Sequence, residues 1–206
     1  MTNAYVVVQE FERRVADRFG MAHGLAVDCC TNAIFLSIKY RQACGFECLH
    51  ATIPSKTYIS VPFALKSAGL EVRFRQEHWG TFYRVDPWFV WDAAKHWAHP
   101  ELVEYADPDK RGLWCLSFHV KKPIPIGRGG MILTNDDKAA EWLRRARYDG
   151  RSGIPYEQEN IAELGYHMYI TPEQAARGLS LMDVHPEGVQ IEREDYPDLT
   201  KMRVFG

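Results

Sequence analysis

The chain has 206 residues, of which 46% are hydrophobic, 13% aromatic and 25% charged, and its formal net charge is −2. This composition predicts an ordinary packed core in one large domain. The near-neutral, interspersed charge does not indicate nucleic-acid binding. No apolar stretch is long enough to span a bilayer and no apolar signal segment precedes the first helix, so a cytoplasmic protein without membrane contact is expected.

Val8, Phe11, Val15 and Phe19 recur at spacings of three and four, which predicts a helix from Tyr5 to Phe19 with Gly20 as a left-handed cap. An apolar run, Gly24 to Val27, leads through Asp28-Cys29-Cys30-Thr31 into a helical pattern from Asn32 to Gln42. The unit recurs: Ala51 to Ile53, the turn Pro54-Ser55-Lys56-Thr57, a helix from Tyr58 to Ala68, and a strand from Leu70 to Phe74. Further apolar runs are Trp88 to Trp91, Leu113 to Leu116 and Met131 to Leu133. Helices are expected over Asp137 to Arg147 and, with Thr171 as N-cap, over Pro172 to Leu181; Tyr148 to Glu163 reads as a loop and Asp183 to Gly206 as an extended or partly ordered tail. Alternating strands and helices argue for a largely parallel sheet, whose ligands collect beyond the carboxyl ends of the strands.

The five cysteines, Cys29, Cys30, Cys44, Cys48 and Cys115, are odd in number and lack metal-ligand spacing, so reduced thiols acting as small buried hydrophobes are expected and no metal is. Arg144, Arg145, Arg147 and Arg151 read as a solvated helix tail rather than a nucleic-acid patch.

Three segments carry candidate chemistry. In Ser117-Phe118-His119-Val120-Lys121-Lys122, followed by Pro123 and the glycine turn Gly127-Arg128-Gly129-Gly130, a lysine just past a strand is pinned by proline. Partial burial or a neighbouring cation such as Lys121 makes such a lysine a Schiff-base nucleophile; alone, the segment reads as a solvated lysine pair. Asp92 ends its own apolar run, where a carboxylate can pair with a protonated pyridine nitrogen or merely cap a helix. Cys30-Thr31-Asn32 opens a helix whose free N–H groups, with the hydroxyls of Thr31 and Ser117, suit a phosphate. The order phosphate cradle, aromatic, carboxylate, serine, lysine is what carries the inference to pyridoxal 5′-phosphate (PLP).

In that order the chain resembles the DegT/DnrJ/EryC1/StrS family of PLP enzymes, chiefly nucleotide-sugar aminotransferases, from about Phe11 to Leu181. Cys29-Cys30-Thr31-Asn32-Ala33 stands at the family's phosphate turn, Pro54-Ser55-Lys56-Thr57-Tyr58 at the segment whose aromatic stacks on the cofactor ring, and Trp91-Asp92-Ala93-Ala94 at its Glu-Asp-Ala-Ala. Ser117-Phe118-His119 with a lysine three residues on selects Lys122 over Lys121 for the internal aldimine. The resemblance implies Lys122 and Asp92 as catalytic residues, and Cys30, Thr31, Tyr58, Asp92, Ala94, Lys95, Ser117, Lys122 and His167 as cofactor contacts. Lys95 replaces a glutamine, and His167 an asparagine that in relatives reaches the partner subunit's phosphate. Arg128 is a candidate for a substrate carboxylate, or a surface ion pair.

The implied architecture is α/β: the large domain of PLP fold type I, with a mostly parallel sheet over residues 1–182, a tail over 183–206, no separate small domain, and a short loop between Phe74 and Trp91. The implied activity is amino transfer to a keto-sugar or similar substrate, small or nucleotide-linked, by a homodimer. The alternatives are a PLP-dependent decarboxylase or lyase acting on an amino-acid moiety, for which Arg128 and Lys95 speak, and an inactive binding relative.

Overall fold

A computed structural model of the chain describes residues 4–97, 99–190 and 195–205. The helices are α1 (Val6–Arg18), α2 (Cys30–Ala43), α3 (Ser60–Ser67), α4 (Pro100–Ala106), α5 (Asp137–Ala146) and α6 (Pro172–Val184). The strands are β1 (His23–Val27), β2 (His50–Pro54), β3 (Glu71–Arg75), β4 (Tyr83–Val85), β5 (Val90–Asp92), β6 (Leu113–Ser117) and β7 (Gly130–Thr134). Short 3-10 turns lie at Tyr156–Gln158 and Leu199–Lys201.

Five strands form one sheet in the order β1-β7-β6-β5-β4, and β2 and β3 pair beside it. Thr52 and Asp86 exchange two backbone hydrogen bonds, of 2.9 and 3.0 Å, which tie β2 to the chain just past β4. Parallel pairing, expected to dominate, is confined to β5–β6 and β2–β3, while β7 runs antiparallel to both β1 and β6 and β4 antiparallel to β5. The sheet of this α/β fold is therefore mixed. Its cause is local: no helix lies between Ser117 and Gly130 to carry a parallel crossover, so the chain turns back against itself.

Strand alternation sends side chains to two cores. Leu25, Val27, Cys115 and Ile132 face α2 and α5, whereas Ala26, Trp114, Met131 and Leu133 face α1 and α6. Both faces of the sheet are thus covered, which explains why its strands read as unbroken apolar runs. Glu12 on α1 accepts the Ala26 N–H at 2.8 Å and pairs with Arg147, whose guanidinium also reaches the Ala26 carbonyl, so one ion pair joins α1, β1 and the end of α5.

Most expected elements are found within two residues of their predicted bounds, and Gly20 has the left-handed φ of +64° its cap requires. Thr171 and Gln174 form a reciprocal cap at the start of α6, with Pro172 in its first turn. Some readings change. The stretch expected as a loop between Phe74 and Trp91 holds β4, and α4 was not anticipated, because three residues and seven residues carry too little periodicity to register. Helix α6 runs on to Val184, three residues past its expected end at Leu181. In the tail, Leu199 is buried and its N–H donates to the Ser55 carbonyl at 2.9 Å. Cys30 and Cys115 are buried as expected, but Cys44 is exposed at the end of α2. Arg145 pairs with Glu141 and Glu163 and Arg147 with Glu12, so these two arginines are ion-paired rather than simply solvated. Among the described residues no helix is long and apolar enough to cross a membrane, and no cluster suits a metal ion.

Candidate active site

The carboxyl ends of β1, β5 and β6 and the amino end of β7 share one edge of the sheet, since Ser117 and Val27 both stand opposite Gly130 and Asp92 opposite Cys115. A cleft of about 450 Å³ opens there. It is lined by Cys30, Thr31, Tyr58, Asp92, Ala94 and Ser117, together with Lys122 and, at the rim, Arg128. Eight of the sequence-predicted residues, from four segments of the chain, thus meet in one place.

Asp92, the last residue of β5, is 4% exposed. Its Oδ2 accepts the Tyr83 hydroxyl at 2.7 Å and its Oδ1 the Ala94 N–H at 3.1 Å. Burial raises its pKa above the ordinary carboxylate value; the Tyr83 and Ala94 bonds and the charges of Lys122 and Lys95 pull the other way. Tyr83 reaches Asp92 because the two residues are register partners across β4–β5, and Thr57 and Tyr83 share a further 2.7 Å bond. Desolvation pushes the Tyr83 phenol well up, so it remains protonated and donates to the carboxylate.

Lys122 is only 7% exposed, which a solvated lysine pair would not be. It ends a tight turn in which its N–H donates to the His119 carbonyl at 2.9 Å, and the next residue, Pro123, accepts the Val189 N–H at 2.8 Å. Lys122 thereby shares the cleft with Asp92, and its charge acts on Asp92 and on Cys30 alike. The Cys30 thiol is held neutral: burial drives its pKa far up, with Asp92, Cys115 and Cys29 adding to the shift.

The far end of the cleft is built from backbone. Cys29 is extended, with φ −165° and ψ 160°, so α2 starts at Cys30, two residues earlier than expected, and its first residues, Cys30 and Thr31, line the cleft. Thr31 and Ser60 hydroxyls meet at 2.7 Å, which brings the starts of α2 and α3 together. Gly130 permits this arrangement, since a Cβ there would lie 2.5 Å from the Cys29 carbonyl carbon. Ser117 closes the same end from β6, its Oγ accepting the His119 N–H at 3.4 Å.

The outer wall is aromatic. Tyr58 packs edge-on against Tyr196 at 6.2 Å, and Tyr196 stacks on Trp79 at 6.0 Å with an interplanar angle of 11°. Lys95 does not line the cleft itself; its Nζ lies over the rings of Tyr196 and Trp79, at 4.5 and 4.7 Å. The Arg128 guanidinium is engaged by Asp28 at 2.8 Å, which is the surface ion pair. His167 stands apart, its side chain 72% exposed and paired with Asp149 at 3.0 Å. Sequence reading passed over Tyr83, Ser60, Trp79 and Tyr196; the Tyr83-Arg84-Val85 alternation was the one local signal available.

Residues 110–197 match the model of the DegT/DnrJ/EryC1/StrS aminotransferase family. A curated Helicobacter pylori protein, UDP-4-amino-4,6-dideoxy-N-acetyl-beta-L-altrosamine transaminase, is 28% identical over 89 residues, which are 43% of this chain and 23% of that one. Among solved structures, the sugar aminotransferase CalS13 of Micromonospora echinospora aligns with a TM-score of 0.68 at 18% identity, covering 88% of this chain and 61% of its own. NtdA of Bacillus subtilis, solved with bound cofactor PMP, aligns with a TM-score of 0.65 at 16% identity, covering 85% of this chain and 47% of its own. The chain therefore spans less than two thirds of these solved relatives and 23% of the curated one. Over residues 110–197 the chain is similar to the DegT/DnrJ/EryC1/StrS aminotransferase family, and over most of its length it shares the fold of these solved structures.

Proposed function

We propose that this cleft binds PLP, with Lys122 as the amine that takes its aldehyde, and that the chain works as an aminotransferase on a carbonyl substrate, a keto-sugar by the likeness of its relatives. One observation carries this reading: a buried lysine and a buried carboxylate from adjacent strand ends share a cleft whose far end is a helix N-terminus. The donor set fits the group. A carboxylate whose pKa burial has raised is stabilised by a cationic ring nitrogen, and paired hydroxyls at the start of a helix suit a phosphate.

When bound, PLP supplies an electrophilic carbon for the substrate amine and a ring that accepts the electron pair released beside it. The chain's residues do the rest. Thr31, Ser60, Ser117 and the first turn of α2 hold the phosphate, and Tyr58 covers the ring. Asp92, kept in place by Tyr83 and Ala94, holds the proton on the ring nitrogen. The Lys122 amine moves a proton at the reacting carbon, a role for which a desolvated lysine is suited. His167 lies on the surface away from its own cleft, which suits the homodimer the resemblance implies, where it would serve the partner's site.

Borohydride reduction of PLP-treated protein, followed by peptide mapping, is expected to place the cofactor on Lys122. Glutamate added to the loaded protein is expected to yield its keto acid without release of CO₂. Label on another lysine, or no near-ultraviolet or visible absorption retained by the protein once excess PLP is removed, would overturn the reading.

A further inference from the structure

Thr57, Tyr83 and Asp92 form a hydrogen-bonded chain, and all three are buried, at 1%, 3% and 4% exposure. Strand β4 runs antiparallel to β5, so Tyr83 stands opposite Asp92 and both side chains leave the same face of the sheet. The Tyr83 hydroxyl has one hydrogen, and at 2.7 Å it goes to Asp92 Oδ2. Toward Thr57, also 2.7 Å away, the phenol oxygen is then the acceptor, which makes the Thr57 hydroxyl the donor. The direction from Thr57 through Tyr83 to Asp92 is thereby fixed. Neighbours hold both hydroxyls in place: Tyr83 packs edge-on against Trp79 at 4.9 Å, and the Trp79 ring N–H donates to the carbonyl of Lys56, next to Thr57, at 2.8 Å.

Bonds of this polarity oppose what burial does. A carboxyl in an apolar site keeps its proton, whereas donors aimed at its oxygens favour the anion. Burial is the largest influence on Asp92 and raises its affinity for a proton. The Tyr83 bond is the largest that lowers it, ahead of the Ala94 N–H and the charges of Lys122 and Lys95. Cys30 on α2 and Cys115 on β6 also interact with the Asp92 charge, and burial holds both thiols neutral. A pyridine nitrogen facing this carboxylate would share one proton with it, and the side on which the proton rests depends on how strongly the carboxylate competes.

We infer that Tyr83, backed by Thr57, is a positioning residue that keeps this shared proton on the ring nitrogen instead of on Asp92. The inference rests on the function proposed above and deepens it: Asp92 supplies the charge, and β4 supplies the donor that keeps it charged. A purely structural Tyr83 would satisfy Thr57 and fill space against Trp79, and losing its hydroxyl would cost stability alone.

Two measurements separate these roles. In the cofactor-free protein, NMR of labelled aspartate carboxyls follows Asp92, whose signal is the one missing from Asp92→Asn. Tyr83→Phe keeps the ring and is expected to raise the Asp92 titration midpoint. In the loaded protein, NMR of ring-nitrogen-labelled PLP is expected to show that nitrogen moving toward its unprotonated position in Tyr83→Phe. With glutamate as donor, kcat should fall by about 10–100-fold, the worth of one hydrogen bond to a charged group, while KM changes little. Thr57→Val, which removes the second donor, is expected to shift both signals the same way by less, and Thr57→Ser, which keeps it, to hold them at the parent's positions. An Asp92 midpoint that stays put in Tyr83→Phe would overturn the inference even if the variant melts lower, and so would a ring nitrogen that keeps its proton. If Tyr83→Phe does not fold, unmoved signals in Thr57→Val overturn it. A parent protein that takes up no PLP would sink the cofactor reading; the carboxyl titration, which needs no PLP, would still show whether Tyr83 governs the Asp92 proton.

Discussion

The cleft has two unlike walls. The sheet-edge wall is held by strand register, helix starts and buried hydrogen bonds: Asp92 is fixed by Tyr83, its partner across β4–β5, and α2 starts where it does because Gly130 has no Cβ. The contacts described for the C-terminal wall include ring faces and a cation, Tyr196 against Tyr58 and Trp79 under Lys95, and a backbone bond from Leu199 to Ser55. Directional buried bonds fix atoms to within tenths of an ångström, whereas aromatic contacts tolerate sliding. The first wall is built to position reacting groups, and the second to be shaped around a substrate.

Substitutions test that contrast, and the largest effect is expected on the sheet-edge wall. Lys122→Ala should abolish covalent retention of PLP and lower turnover by about 10²–10⁴, read by absorbance after borohydride reduction and by glutamate consumption; full turnover would refute the role given to Lys122. Gly130→Ala should follow, because its Cβ would meet backbone rather than a flexible side chain. A loss of roughly 3 kcal/mol is expected, seen as a thermal midpoint lower by about 2–4 °C for each kcal/mol. An unchanged midpoint would mean that the α2 turn is not as tight as described.

Asp92→Asn separates stability from function. Burial raises the Asp92 pKa above its unfolded value, near 3.8. The folded state then carries no penalty below that pH and loses stability as pH rises through the raised value. The cofactor-free Asn variant should therefore melt higher than the parent at pH 7, by about 2–4 °C for each kcal/mol relieved, and the gap should close below about pH 4. Its PLP-dependent turnover should nonetheless fall by about 10²–10³, the scale of a lost preorganised charge. A variant that melts lower at pH 7 would show that the carboxylate is stabilising as it stands. The smallest effect on stability is expected on the other wall: Tyr196→Ala removes two ring contacts and one cation–ring contact, worth about 1–2 kcal/mol together, and should change KM for the substrate far more than kcat. An equal fall in kcat would place the C-terminal wall among the positioning elements.

How much of this was legible follows from where each interaction is encoded. Asp92 ends its own strand, and Thr31 and Lys122 come within five residues of theirs, so apolar runs ending in polar residues were enough to bring them to one edge. Tyr83, Ser60, Trp79 and Tyr196 carry no such mark. Tyr83 needs the register of a three-residue strand, Ser60 needs α3 to begin beside α2, and the Trp79–Tyr196 stack joins segments far apart in the chain. The reading of the 74–91 stretch fell short for that same reason.

The sequence by itself determined the helices, the apolar strands and the order of the phosphate turn, carboxylate and lysine, because period, capping and strand-end chemistry act over a few residues. Tertiary structure alone decided that β7 returns antiparallel, that Arg128 is engaged by Asp28 and that Tyr196 lines the cleft with Lys122. Those outcomes depend on which surfaces meet when both faces of the sheet are buried, a choice that local propensity does not contain.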